Sequence, residues 1–298
     1  MATIPSIAMI PSGVKASKLY SVLPTDGTGD FTTTRASVAT RVNENGLIEE
    51  VAANVPRLDY SDGDCPSLLL ENSSTNLITY SEDFSNASWT KSSSSVTSGF
   101  LSPSGDLSAF KLVEDTSTGG HNINKSITVT AGAVSLSVRA KAGERDWILL
   151  RDTQSNSGRY FDLTNGVVGS VQGTTPLSSS VKPLTGGWYD ISITVTAPAT
   201  TTSAYVYVTN ADATLSHTGD GTSGVYIYGA QVEEKSYATS YIKTVGTAQT
   251  RVADTATGSG SSTVINSSEG VLYAEISALA NDGTNRFISL TDGSNDNR

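Results

Sequence analysis

The 298-residue chain has one cysteine, two histidines, a charged fraction of only 16% and no run of basic side chains. A lone Cys65 excludes an internal disulfide framework and a zinc site built on cysteines. It fits folding in a reducing compartment, and followed by Pro66 it reads as a small buried apolar side chain. His121 and His217 lie among Gly, Thr and Asn, and neither has a motif that places a nucleophile beside it. Lys and Arg number 19 against 29 Asp and Glu, a net charge of −10. That speaks against nucleic acid or an anionic membrane as partner, because both need clustered cations. No apolar run approaches the roughly 20 residues of a membrane helix, so no membrane insertion is expected. The opening MATIPSIAMIPSGVK lacks a basic residue before its apolar stretch and is interrupted by two prolines, so a signal peptide is not expected either. Cofactor motifs are missing too. Gly27 and Gly29 are not followed by the Lys-Ser or Lys-Thr of a phosphate loop. The segments DGTGD (26–30), TGDGTSG (218–224) and DGSND (292–296) read as Asp-Gly turns rather than calcium loops, since none carries the spaced acidic ligands. Neither cofactor nor metal is expected.

Apolar spacing of three and four is nearly absent, and period two runs through the chain. ASVATRV sets Ala36, Val38, Thr40 and Val42 on one face, and Asn45-Gly46 offers a turn into LIEEV. VPRLDY, a turn at SDGD and the short apolar run SLLLE follow, the last reading as a buried strand. VSLSVRAK alternates Val134, Leu136, Val138 and Ala140 against Ser135, Ser137, Arg139 and Lys141. WYDISITV sets Tyr189, Ile191, Ile193 and Val195 against Trp188, Asp190, Ser192 and Thr194, and AYVYV sets Ala204, Val206 and Val208 against Tyr205 and Tyr207. Short alternating strands between turn residues predict an all-β protein, with an antiparallel jelly-roll or β-sandwich domain at its centre. Residues 1–71 form an irregular arm and a small strand-rich hairpin module, residues 72–251 the sandwich, and residues 252–298 a small-residue linker followed by the first strands of an incomplete second sandwich.

Four stretches carry a resemblance: RASVATRVNENGLIEEVAANVPRLDY, CPSLLLENSSTNLITYSEDFSNASWTK, GGWYDISITVTAPA and SHTGDGTSGVYIYGAQVEEKSYATSYIKT. Together they resemble the successive signatures of bacteriophage virion appendage proteins, of tail-fibre or head-spike type, whose middle domain is similar to carbohydrate-binding modules of jelly-roll type. The resemblance spans roughly residues 10 to 252 and is carried only by strand rhythm between about 92 and 185. The last residues are similar to the start of a concanavalin-like or laminin-G-like sandwich. The resemblance implies a structural protein of the virion, assembled in the host cytoplasm, joined to other virion proteins through its N-terminal region and forming a homotrimer. It implies no catalytic residues.

Two groups of side chains invite a functional reading. Glu82 and Asp83 stand among Tyr80, Phe84 and Trp89, as carboxylates do in sugar-cleaving sites, but neighbours on a strand point to opposite faces and cannot flank one glycosidic bond. They read as a solvated or turn-capping pair. Trp188, Tyr205 and Tyr207, with Asp190 beside them, lie on the polar faces of their strands. Flat aromatic rings stack on sugar C–H faces while nearby polar groups order the hydroxyls, so these four residues form a candidate sugar platform for host cell-surface glycans. The alternative is a face buried by a neighbouring domain or subunit. Trp147 fits either face and reads as core. The expected function is a non-enzymatic virion fibre or spike that binds glycans weakly and multivalently. A polysaccharide depolymerase with its catalytic part elsewhere, or a spacer without ligand, are the alternatives.

Overall fold

The computed structural model describes residues 4–15, 18–198, 200–265, 269–280 and 288–289. Among these no α-helix forms, only a 3-10 turn at Thr185–Gly187 ahead of the strand Trp188–Ala197.

The centre of the chain is a β-sandwich of two six-stranded antiparallel sheets. The first runs, edge to edge, Ser94–Phe100, Ala109–Glu114, Gly224–Glu233, Gly132–Ala142, Trp188–Ala197, Ser178–Pro183. The second runs Val167–Gly173, Ser157–Asp162, Trp147–Asp152, Thr201–Thr209, His121–Thr128, Thr90–Ser92. The predicted alternation decides which faces meet. Val134, Leu136, Val138, Ala140, Ile191, Ile193 and Val195 of the first sheet share one buried core with Ile148, Leu150, Phe161, Val206 and Val208 of the second. Each such side chain taken from water contributes about 1.5–3 kcal/mol, which makes this interface the main stabilising element. Phe84 and Trp89 close one end, ring centroids 5.1 Å apart, and Trp89 Nε1 donates to the Tyr80 carbonyl at 2.9 Å.

The first sheet's outer face is also covered. Ser135, Ser137 and Arg139 are buried although they alternate with the core residues. The segment 234–246 covers them: the Arg139 guanidinium sits 4.9 Å over the Tyr241 ring, and the segment is tied down where Thr244 Oγ1 donates to the Ile78 carbonyl at 2.6 Å and Asn76 Nδ2 to the Ile242 carbonyl at 2.8 Å. Period two marks two faces but does not say whether the second meets water or more protein.

The hairpin at the Asn-Gly turn forms, Ala39–Val42 pairing with Ile48–Val51. Its connection is longer than a two-residue turn: Asn43 N donates to Leu47 O at 2.9 Å, and Gly46 takes the left-handed φ of 73° that a side chain would resist. Val38 lies outside the strand and is exposed. The strands Arg57–Asp59 and Ser67–Leu69 also pair as expected. Two readings of this region need correction. Leu68 and Leu69 are only partly buried and Leu70 is exposed, because a three-residue edge ribbon has nothing packed on both sides. Cys65 is exposed, since it lies in the turn between these strands.

The N-terminal arm is more regular than expected. Ala8–Lys15 and Lys18–Leu23 pair, and the sheet continues through Phe31–Thr34 to Thr255–Thr257. Pro11 is accommodated because its strand is at the sheet's edge and the register slips between Met9 and Val14. Thr255–Thr257 falls in the stretch that reads as a flexible linker, yet it adds a strand to the arm, and Gly260 N donates to Thr28 O at 2.7 Å. The second sandwich expected beyond it does not emerge among the described residues: 269–280 carry no strand, and Val271, Tyr273 and Ile276 are exposed. Residues 281–287 and 290–298, where its next strand was expected, lie outside the described residues.

Buried charge fastens the N-terminal module to the sandwich. Arg57 Nη1 lies 2.7 Å from Glu71 Oε2 and donates to Ser240 Oγ at 2.8 Å, and its Nη2 pairs with Asp254. Arg35 Nη1 lies 2.8 Å from Asp254 Oδ1, and Arg251 Nη2 lies 3.4 Å from Glu71 Oε2. The three arginines are each at most 2% exposed. Removing one partner of such a pair strands a buried charge, at a cost of about 3–5 kcal/mol.

Candidate functional site: the outer face of the second sheet

One row of side chains crosses all six strands of the second sheet on the face turned away from the core. Its register is Gln172, Gly158, Arg151, Tyr205, Asn124, Thr90. At about 4.8 Å between strands the row is about 24 Å long. Except for Gly158, every member is at least partly exposed. Beside it runs a second row, Tyr160, Leu149, Tyr207, Asn122, Ser92, of which the first four are buried. Leu149, Tyr160 and Tyr207 form a small apolar cluster against which Trp147, Tyr205 and Leu215 pack. The buried row is the floor and the exposed row is the accessible surface.

Each side chain of the row is held by neighbours. Tyr205 stacks on Tyr207 with centroids 5.5 Å apart and 14° between planes. Burial pushes the Tyr207 hydroxyl up, more than Arg151 nearby draws it down, so it stays a neutral donor at physiological pH. Asn124 Nδ2 donates to Asn122 Oδ1 at 2.9 Å, and Asn122 Nδ2 to the Gly120 carbonyl at 3.2 Å. Tyr160 Oη donates to Gln172 Oε1 at 3.0 Å. Arg151 Nη2 donates to Asn156 Oδ1 at 2.6 Å. A Cβ on Gly158 would come within 3.0 Å of Arg151 Cβ and Cγ, so the glycine is what lets the arginine stem lie across its strand. The face thus combines an aromatic ring, side-chain amides and a guanidinium, the groups that stack on and hydrogen-bond to sugars.

The four candidate platform residues do not come together. Tyr205 and Tyr207 lie on the second sheet, Trp188 and Asp190 on the first. Trp188 is 3% exposed, in a cluster with Ile48, Ala109, Tyr228 and Tyr241, so the N-terminal hairpin and the covering segment bury it. Asp190 Oδ2 pairs with Arg139 Nη2 at 2.8 Å. Trp188 is thus covered within the chain, whereas Asp190 stays partly exposed beside its cross-strand neighbour Arg139. Tyr207 is 7% exposed, its ring flanked by Tyr205 and by the Gly120 backbone. Of the four, Tyr205 is the accessible ring. Trp147, read as core, packs on this outer face instead.

The acidic pair Glu82 and Asp83 diverges. Glu82 Oε1 accepts from Tyr228 Oη at 2.8 Å and Tyr241 Oη at 3.1 Å, and Oε2 lies 2.7 Å from Lys243 Nζ. Glu82 is therefore not solvated but ties the covering segment to the first sheet, and burial, reinforced by its charge, raises both phenols. Asp83 accepts from Ser85 N and Oγ, a turn cap as expected. Asp26 and Asp220 likewise cap their own turns. DGSND lies outside the described residues.

One cluster escaped the sequence altogether. His121 and His217, 96 positions apart, meet with ring centroids 4.6 Å apart. His217 Nε2 lies 2.8 Å from Glu114 Oε2, and Arg145 Nη2 lies 2.5 Å from Glu114 Oε1. Burial pushes the Glu114 carboxyl up, but Arg145 and His217 outweigh it and hold it below the ordinary carboxylate range. His217 lies in the two-stranded ribbon Thr118–Gly119 with His217–Thr218, and His121 follows it two positions on from Gly119, a long-range pairing that neither local sequence announces.

No protein-family model matches the sequence, and no curated protein sequence matches it. Among solved structures the chain is similar to the enzymatically active domain of tailspike protein 4 of bacteriophage CBA120, with 16% identity and a TM-score of 0.32, over 53% of this chain. It spans only 21% of that domain's length. It is also similar to a Bacteroides thetaiotaomicron protein described as sugar binding, with 12% identity and a TM-score of 0.29, over 54% of this chain and 94% of that one.

Proposed function

We propose that the chain is a non-enzymatic component of a bacteriophage appendage whose sandwich binds host-surface glycans through the outer face of its second sheet. The observation that carries the binding part is the exposed row Gln172, Arg151, Tyr205, Asn124, Thr90 above a buried aromatic floor. A row about 24 Å long suits an extended oligosaccharide rather than a single sugar. The virion part rests on the sequence signatures quoted above, with residues 1–71 as the region that joins other virion proteins. Millimolar single contacts gain 10²- to 10⁴-fold when several copies engage together, roughly the gain a homotrimer offers if its sites match the target's spacing.

The commitments of the nearby carboxylates support a binding rather than a cleaving site. Asp162 accepts from Thr164 N, Asn165 N and Asn165 Nδ2, and Asp212 from Ser170 N and Oγ. A glycosidase needs one carboxyl to donate a proton and another to attack or to activate water. The test is incubation of the protein with surface polysaccharide of a susceptible bacterium. Retention on the polymer without release of reducing ends is expected; released reducing ends overturn the non-enzymatic reading, and no retention overturns the binding reading.

A further inference from the structure

Eight arginines lie among the described residues. Six of them, Arg35, Arg41, Arg57, Arg139, Arg145 and Arg251, sit within 4 Å of a carboxylate. Arg151 and Arg159 do not, in a chain with ten more acidic than basic side chains, and of these two Arg151 stands in the exposed row beside Tyr205. Its guanidinium donates to Asn156 Oδ1 and lies beside the Tyr207 hydroxyl, and its Nε is buried without a hydrogen-bond partner. Asn156 is exposed and holds a left-handed φ of 51° in the loop between the two strands. Gly158 leaves the space that the arginine stem fills, so the fork is held on the sheet rather than trailing in solvent.

An arginine presents five N–H donors in a planar fork that matches a carboxylate bidentately, and here Asn156 and the Tyr207 hydroxyl take only part of that capacity. We infer that the glycan recognised on this face carries a carboxylate, as a hexuronic acid does, and that the carboxylate pairs with Arg151 while the sugar ring lies against Tyr205. This rests on the carbohydrate-binding reading and adds the chemical class of the ligand. Asn124 on the other side of Tyr205 is placed to take a sugar hydroxyl of the same residue.

The experiment uses the full chain with three polymers: polygalacturonate, the same polymer with its carboxyls reduced to alcohols, and dextran sulfate. Wild type is expected to bind polygalacturonate about tenfold more tightly than the reduced polymer, as one charge-assisted pair allows, with the preference shrinking as salt rises. Arg151→Gln is expected to abolish that preference, and Arg151→Lys to restore it in part. A folded Arg151→Gln protein with the wild-type preference overturns the inference but leaves the carbohydrate reading standing. Dextran sulfate bound as tightly as polygalacturonate overturns the carboxylate assignment. Binding to none of the three overturns both.

Discussion

Tyr205 and Tyr207 stack on each other, centroids 5.5 Å apart and 14° from parallel, while their presumed companion Trp188 lies on the opposite sheet. The stack converts two candidate rings into one accessible ring on a buried support. It also separates the accessible ring from the residues that hold the fold.

Trp188→Ala should therefore behave as a core mutation. Losing a side chain packed on Ile48, Tyr228 and Tyr241 should cost about 3–5 kcal/mol. Denaturant unfolding should register that loss, and glycan retention per folded molecule should stay at the wild-type level.

Acid should loosen the clamp between the N-terminal module and the sandwich. Burial pushes the Glu71 carboxyl up, but Arg251 and Arg57 beside it, with hydrogen bonds from Ser240, prevail and hold it below the ordinary 4.5. A carboxyl with a depressed folded pKa contributes stability above its unfolded value, and that contribution is lost as pH falls through the folded one. Melting temperature should fall from pH 6 toward pH 3 in the wild type. Glu71→Gln should melt lower at neutral pH and respond less to acid over that range.

Glu82 and Asp83 should differ sharply despite adjacency. Glu82→Ala removes the acceptor of two buried phenols and the partner of Lys243, and should cost about 1–3 kcal/mol in urea unfolding. Asp83→Ala removes an exposed turn cap and should barely move the midpoint. Equal effects would contradict the divergence of the two side chains.

The strands of the sandwich core were legible because Val134 to Ala140 and Ile191 to Val195 alternate cleanly, and alternation alone sorts residues onto faces. What alternation cannot supply is which face is covered and which strands are neighbours. Trp188 and Tyr205 look alike in sequence; only Tyr241 of the covering segment and Ile48 of the hairpin, with Ala109 and Tyr228, make one of them core. The row that joins Arg151 to Tyr205 and Asn124 depends on the register of three strands far apart in the chain. Its local signs are the spacings of Tyr205 with Tyr207 and of Asn122 with Asn124, each two positions apart. The histidine pair and the Arg57–Glu71–Asp254 cluster are long-range meetings of the same kind.

The most direct test is the retention of wild type and Tyr205→Ala on one surface polysaccharide, with melting temperature followed in parallel. Tyr205 is half-buried on a support that remains in place, so the variant should stay folded. A glycan face on the second sheet predicts about a tenfold or greater loss of retention for Tyr205→Ala, the scale of one lost ring contact. Retention unchanged in a folded Tyr205→Ala protein would contradict it.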